Sequence, residues 1–323
     1  MSSPRIILNA EPDRYSPAAR DILQGLGEVW DKRPLTRPQL LAHLPRAHIL
    51  IVRLAHHIDA EIIRAGQQLQ AIVTATTGLD HIDLAAAAAQ GVTVLSLRGE
   101  ETFLRTVPAT AEHTWGLLLA LVRHIPAATA AVQRGQWNRD QFRGRDLFGK
   151  RLGIIGLGRI GQIVARYAHA FGLRVHAYDP YLPHWPDDIE RHLQLDSLLA
   201  TSDIITLHVP LNDATTHLIG SHELALLPPG AWLVNTSRGA IVDEAALLAS
   251  LQANHLGGAA LDVLAAEVAG VVTRHHPLIQ YAQTHSNLLI TPHIGGATAD
   301  SMAMTEIFMA QKLRSFLEIN QSP

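Results

Sequence analysis

An α/β fold built as two doubly wound parallel-sheet domains is what the 323-residue sequence predicts, and three observations point to it. Short runs rich in Ile, Leu and Val alternate with helical patterns along the chain, which is the signature of βα units and of parallel sheets. The alternation falls into two series, separated by an irregular stretch and one long apolar helix. The length, with 47% hydrophobic and 17% charged residues, exceeds what one small core organises, so two domains are expected.

The first series has expected strands at residues 5–9, 28–30, 48–53, 69–74 and 92–97. Helices at 16–25, 37–44, 60–65 and 82–90 lie between them, several opening on Ser, Thr or Asp and closing near Gly. The loop Thr76-Thr77-Gly78-Leu79-Asp80 follows the fourth strand, where open sheets present ligand-binding groups. A plain connection in which Asp80 caps the next helix fits the same residues. Residues 99–108, with Glu100, Glu101 and Arg105, read as a polar connector. Residues 109–123, with Trp115 and several leucines, read as a long helix, apolar on enough faces to pack against a second subunit as well as its own domain. Residues 132–149, carrying Trp137 and several charges, read as an exposed crossing.

The second series begins with a strand at 152–155, the turn Gly156-Leu157-Gly158-Arg159-Ile160-Gly161 and a helix at 162–171. Gly156 suits the sharp turn, Gly158 a close approach to pyrophosphate, and Gly161 the packing of helix on strand, while the helix N-terminus offers N–H groups to phosphates. The next strand, 174–178, ends in Asp179, spaced to accept from a ribose 2′-OH. A dinucleotide is therefore expected. It should be NAD, because Asp179 would repel a 2′-phosphate and Pro180-Tyr181 supplies no arginine. Strands at 203–209, 231–235, 258–263 and 287–291 follow, with a helix at 244–254 and a last helix at 299–319 that could return to the first series.

At the ends of these strands stand His208, Thr236-Ser237-Arg238, Asp262 with Glu267, and His293. The Arg238 fork can hold a carboxylate bidentately. Glu267 near the His293 imidazole can orient it for proton transfer. Arginine, glutamate and histidine beside a nicotinamide pocket make a hydride-transfer site. Net charge −3 and a pI of about 6.7 leave no basic surplus for nucleic acid or an anionic membrane. No cysteine is present, so no disulfide, thiol nucleophile or Cys-based zinc site is expected, and no metal is assigned to the reaction. The start is too poor in apolar residues for a signal peptide and no later run approaches a membrane span, so a cytoplasmic protein is expected.

The segments Gly153-Ile-Ile-Gly-Leu-Gly-Arg-Ile-Gly161, Leu233-Val-Asn-Thr-Ser-Arg-Gly-Ala-Ile-Val-Asp243, Gly258-Ala-Ala-Leu-Asp-Val263 and Thr291-Pro-His-Ile-Gly295 closely resemble the D-isomer-specific 2-hydroxyacid dehydrogenases, a family that includes glyoxylate/hydroxypyruvate reductases and phosphoglycerate dehydrogenases. The resemblance extends to Ala111-Glu112-His113. It implies a Rossmann cofactor domain, residues 104–297, inserted into a flavodoxin-like substrate domain, residues 1–103 with 298–323. It implies Arg238 as substrate anchor, His293 as acid and base, and Glu267 as its partner. Gly156, Gly158, Arg159, Ile160, Gly161, Asp179, His208, Val209, Thr236, Ser237, Asp262, His293 and Gly295 become the expected cofactor contacts, Asp262 that for the nicotinamide amide. Arg53, Thr77, Gly78 and Arg238 become the expected substrate contacts, and a homodimer the expected assembly.

Two departures border the pocket. Val268-Ala269-Gly270 and a longer loop to Pro277 stand where the family usually continues with Pro after Glu267, and His81 stands where asparagine is common. The expected reaction interconverts a small 2-oxo acid, such as glyoxylate, hydroxypyruvate, pyruvate or 3-phosphohydroxypyruvate, and its D-2-hydroxy acid. Formate and phosphite dehydrogenases of the same fold are the near alternative, though the glutamine partner of the former and the lysine near Thr77 of the latter are missing. A corepressor-like protein that senses nucleotide is the alternative outside enzymes, separable by a turnover assay.

Overall fold

The structure, a computed structural model, describes residues 4–265, 267 and 272–319. Of the expected loop after Glu267, Val268, Ala269 and Gly270 lie outside the described residues. The chain divides into two compact units, Met1–Val107 with Thr298–Pro323, and Pro108–Ala297. The division follows a short helix, Glu101–Leu104, in what reads from sequence as an irregular connector. Four residues are too few to show a helical period, and a boundary after residue 103 would cut through this helix.

The first unit holds a sheet of five parallel strands: β1 (Ile6–Asn9), β2 (Glu28–Trp30), β3 (Ile49–Val52), β4 (Ala71–Thr74) and β5 (Thr93–Leu95), in the order β2-β1-β3-β4-β5. Strands β1, β3 and β4 are buried along their whole length, which is why they are continuous apolar runs rather than alternating ones. Leu40, Leu44, Ile62 and Ile63 pack on one face. Ala19 and Leu23 of helix Pro17–Gln24, with Met309 and Leu313 of helix Ala299–Ile319, pack with β1, β3 and β4 residues in a second cluster. The terminal helix thus belongs to this unit. Helix Leu84–Ala89 is capped by Asp83, which accepts from Ala86 N at 2.9 Å; the capping read for Asp80 is corrected by three residues, because the chain enters the helix later than the apolar pattern suggests.

The second unit holds seven parallel strands: β6 (Arg151–Ile155), β7 (Arg174–Tyr178), β8 (Glu190–Arg191), β9 (Ile204–Leu207), β10 (Trp232–Asn235), β11 (Gly258–Leu261) and β12 (Leu288–Ile290). Their order is β12-β11-β10-β9-β6-β7-β8. The direction of winding reverses between β6 and β9, and such a switch point opens a crevice at the C-terminal ends of the strands. The edge strand β8 has two residues and no sequence signal of its own. Helix Ala109–Val122 gives Ala111, Trp115, Leu118, Leu121 and Val122 to the core formed with Leu152, Ile154, Val175 and Val234. Its apolar faces are therefore largely consumed inside its own unit. The exposed apolar side chains follow it, Ile125 and Val132 on helix Ile125–Gln133 and Trp137 at 89% exposure. That helix is absent from the sequence reading, as are Leu195–Thr201, Ser221–Leu226 and Pro277–Ala282, all of them nine residues or shorter. Among the described residues no single helix is long and apolar enough to cross a membrane.

Candidate active site

Six loops leave the C-terminal edge of the seven-stranded sheet, and each carries expected site residues. Glycine-rich turn and helix come first, after β6. Gly156 has φ +89°, and a Cβ there would lie 2.6 Å from the His208 carbonyl oxygen. Only glycine satisfies both the turn and the neighbouring strand end. A Cβ on Gly161 would lie 2.2 Å from the Gly156 carbonyl, so the helix Arg159–Ala170 can start against the turn only without one. On Gly158, by contrast, a Cβ would meet nothing within 4 Å; this side of the turn is open.

Asp179, at the end of β7, accepts from Leu157 N and from Tyr181 N, both at 2.9 Å. The first bond ties the carboxylate to the glycine-rich turn itself. On the other side of the switch point, His208 follows β9, with its Nε2 2.9 Å from Thr206 Oγ1. Desolvation of the ring pushes its pKa down to about 3, so the imidazole is neutral near pH 7 although the residue keeps some exposed surface. Val209 lies against the turn, its Cγ1 2.7 Å from where a Gly156 Cβ would be. Desolvation also lowers Arg159, which begins the helix.

The turn after β10 is shaped by Asn235, 1% exposed. Its Oδ1 accepts from Ser237 N and its Nδ2 donates to the Arg238 carbonyl, each at 2.9 Å. Ser237 Oγ donates to the Leu207 carbonyl on β9 at 2.6 Å. Thr114 Oγ1 donates to the Thr110 carbonyl, so at the 2.8 Å contact between Thr114 and Thr236 the donor must be Thr236. Arg238 sits half-buried in extended backbone, with Nη1 donating to the Ser237 carbonyl at 2.7 Å.

Asp262, just past β11 and 1% exposed, is the centre of a second network. Oδ1 accepts from Ile294 N at 2.9 Å and from Thr291 Oγ1 at 2.6 Å, and Oδ2 accepts from Gly295 N at 2.7 Å. His113 Nε2 lies 3.2 Å from Oδ1 and 3.0 Å from Thr291 Oγ1. The Thr291 proton goes to the carboxylate, so His113 Nε2 carries the hydrogen that both oxygens share. His293 is held inside this frame at φ +53°, its N–H donating to the Asp262 carbonyl at 2.8 Å. A left-handed histidine costs roughly 1–3 kcal/mol and persists where its surroundings dictate it. Its Nδ1 is 3.0 Å from Glu267 Oε1, with both side chains about a quarter exposed. A carboxylate can only accept, so Nδ1 bears the hydrogen and Nε2 is left as the atom that gains or loses a proton.

All of these residues lie in one unit, and the positions from Asp179 to Asp262 span four strand spacings, roughly 19 Å at ~4.8 Å each. The remaining expected residues lie in the other unit. Thr77 is exposed in the loop after β4, and Thr76 Oγ1 donates to the Gly78 carbonyl at 2.8 Å. Arg53, read as a substrate contact, pairs with the buried carboxylate of Glu306 and donates to the Asp13 carbonyl. The sequence reading does not single out Asn235, Thr114 or Thr291, whose work is to fix the backbone of residues that it does. A cavity of about 400 Å³, lined by Arg143, Arg145, Lys150, Trp232 and Asn287 among others, lies at the opposite, N-terminal end of the strands and is no part of this site.

The family described as D-isomer specific 2-hydroxyacid dehydrogenase, NAD binding domain, matches residues 115–295. A hydroxypyruvate reductase of Thermotoga maritima is 38% identical over 279 residues, covering 86% of this chain and 88% of its own length. A D-3-phosphoglycerate dehydrogenase of Methanocaldococcus jannaschii is 37% identical over 299 residues, covering 92% of this chain but only 55% of its own length. The chain thus spans about half the length of the D-3-phosphoglycerate dehydrogenases it matches. Among solved structures, the TT0316 protein of Thermus thermophilus superposes with a TM-score of 0.85 at 36% identity, over 97% of each chain.

Proposed function

The chain belongs to the D-isomer-specific 2-hydroxyacid dehydrogenases, and on that footing we propose that it interconverts a small 2-oxo acid and its D-2-hydroxy acid with NAD as the hydride carrier. The observation that supports this most is the contact between His293 Nδ1 and Glu267 Oε1, 3.0 Å, on the same sheet edge as the glycine-rich turn. The residues present fit a dinucleotide. The space beside Gly158 is open, the helix Arg159–Ala170 points its first N–H groups at it, and the Asp179 carboxylate is tied to Leu157 N at its rim. When bound, NAD supplies the group that gives or takes hydride at the substrate carbon.

The chain's own residues do the rest. Arg238 binds the substrate carboxylate, with the turn around it locked by Asn235 and Ser237. In the other unit, Thr77 and Gly78 are proposed as backbone donors to substrate, on a loop shaped by Thr76. His293 holds a proton on Nε2 for the carbonyl oxygen during reduction and takes one from the hydroxyl during oxidation, while Glu267 keeps the ring oriented and offsets the imidazolium charge. Asp262, filled by its own chain, acts as a positioning residue for the His293 loop.

NADH oxidation should be assayed with glyoxylate, hydroxypyruvate, pyruvate and 3-phosphohydroxypyruvate. At least one should be reduced, and His293→Asn should bind NADH normally while losing roughly 10²-fold or more in turnover. NADH binding without oxidation by any of them would replace this reading with that of a nucleotide-sensing protein. We further propose a homodimer, now centred on the exposed Ile125, Val132 and Trp137 that follow helix Ala109–Val122. Light scattering of the wild type should give twice the chain mass, and Trp137→Asp should shift it toward one; a monomeric wild type at micromolar concentration removes the proposal.

A further inference from the structure

At the far edge of the second sheet three side chains bring ring nitrogens and a carboxylate close together. His176 on β7 and Glu190 on β8 are register partners, and His192 follows two residues after Glu190, on the same face. His176 Nδ1 lies 3.2 Å from His192 Nε2 and 3.5 Å from Glu190 Oε2, and His192 Nε2 lies 3.7 Å from Glu190 Oε1. The two imidazole side chains are each 10% exposed, while the glutamate, at 65%, opens the point to solvent.

The tautomer of His192 follows from its other nitrogen. Ser197 Oγ donates to the Gln194 carbonyl at 2.8 Å, so at its 2.9 Å contact with His192 Nδ1 it can only accept. The hydrogen of the neutral ring is therefore on Nδ1, and the lone pair of Nε2 faces His176 and Glu190. Without an ion, one proton on His176 Nδ1 can serve His192, and the glutamate oxygens stay at 3.5 and 3.7 Å, too far for a hydrogen bond. One cation satisfies all three acceptors together. Tetrahedral ligands at ~2.0–2.1 Å from zinc lie roughly 3.3–3.4 Å from one another; the two nitrogens, 3.2 Å apart, fall beside that value, and the Glu190 carboxylate faces both, Oε2 at 3.5 Å from His176 Nδ1 and Oε1 at 3.7 Å from His192 Nε2, with one ligand atom from each residue all within 4.8 Å of one another. Two nitrogens and one oxygen without thiolate suit a borderline divalent ion, and Ser197 provides the outer hydrogen bond that commonly orients a ligating histidine.

We propose that His176, Glu190 and His192 form a binding site for one divalent cation of the zinc class, with a fourth position open to water. It touches no residue assigned to the reaction. Its position makes it a clip: it would pin the two-residue edge strand β8, and the stretch of chain leaving Asp179, onto β7. From the sequence it is invisible, because the ligands are 14 and 2 residues apart and belong to no metal-binding pattern.

The test is titration of chelator-treated full-length protein with Zn²⁺ against a chromophoric competitor, with thermal unfolding followed in parallel. Wild type should bind one equivalent and unfold at a higher temperature with Zn²⁺ than without. Glu190 is 65% exposed, so Glu190→Gln should fold as wild type without metal, and His192→Gln keeps a polar side chain of similar reach; each should bind Zn²⁺ at least tenfold more weakly and lose the thermal shift. His176→Gln should do the same, and Co²⁺ in wild type should show the spectrum of a four-coordinate site with nitrogen ligands. The proposal is overturned if wild type binds no equivalent in competition, if binding survives all three variants, or if it is abolished by His293→Asn instead, which would place the ion on the His293–Glu267 pair.

Discussion

Arg53→Ala separates two roles for one arginine. The family resemblance makes Arg53 a substrate contact, whereas in the structure its Nη2 pairs with Glu306 Oε1 and its guanidinium lies over the Tyr15 ring, 5.6 Å from the centroid. Glu306 is on helix Ala299–Ile319 with its side chain 2% exposed, and its second oxygen accepts from Ser16 N at 2.7 Å. Burial, and then the charge of Glu306, push the Tyr15 phenol up, so Tyr15 brings no competing charge. Removing Arg53 leaves a buried carboxylate held by Ser16 N, and breaking a buried pair costs ~3–5 kcal/mol. Arg53 is 20% exposed, which argues for the lower end. About 3 kcal/mol is therefore expected at pH 7, a fall in Tm on the order of 10 °C for domains of this class. Adding Glu306→Gln should restore part of the loss, because it removes the carboxylate that Arg53→Ala leaves buried without its cation. Differential scanning calorimetry of both variants, with KM for the 2-oxo acid, decides the matter. An unshifted Tm with a KM raised tenfold or more would refute the structural role and return Arg53 to the substrate.

His208, pushed down to about 3 by burial, binds its proton in the unfolded chain first. Its contribution is complete above pH ~6.5 and drains as pH falls toward 3, by up to ~1.4 kcal/mol per unit; urea unfolding from pH 7 to 5 should decline less steeply for His208→Gln, and equal slopes refute it. Asp179→Ala should raise kcat/KM for NADPH relative to NADH by tenfold or more, whereas a wild type that already prefers NADPH would show that this carboxylate is not beside the ribose. Asp262→Asn should cost ~1–3 kcal/mol and most turnover, because an amide NH₂ would face either Ile294 N or Gly295 N; wild-type activity in that variant would mean that the His293 loop does not depend on it.

The strands are legible where burial on both faces makes them continuous apolar runs, as in Ile49–Val52 and Ile204–Leu207. What escapes are elements too short to show a period, such as Glu101–Leu104 and Glu190–Arg191, and the alanine-rich helix Ile125–Gln133, whose small side chains draw no apolar stripe. The long helix Ala109–Val122 is helical and buried as its sequence implies, but part of the apolar surface that the sequence offers to a partner is covered at home. A run apolar on several faces records that the helix is covered, not by which chain, and here Trp115 and Leu118 share one core with Leu152 and Val175 of their own unit.

The site divides along the same line. Residue types that carry chemistry, Arg238, Glu267 and His293, stand out at strand ends because few other roles suit them there. The residues that hold them do not, because their identity matters through geometry that forms only when β10, β11 and the His293 loop are side by side. Asp262 illustrates the difference. From sequence it is an acid at a strand end, expected to meet a cofactor amide; folded, both of its oxygens also accept from the backbone that follows Thr291, and Oδ1 from Thr291 itself. Those bonds fix the two residues after His293 and, with the bond from His293 N to the Asp262 carbonyl, hold the histidine at φ +53°. The backbone strain and the direction of the imidazole therefore have one cause. A histidine free to relax to negative φ would swing its Nδ1 away from Glu267, so the acid–base pair exists only as long as a buried carboxylate at the end of the neighbouring strand keeps the loop bent.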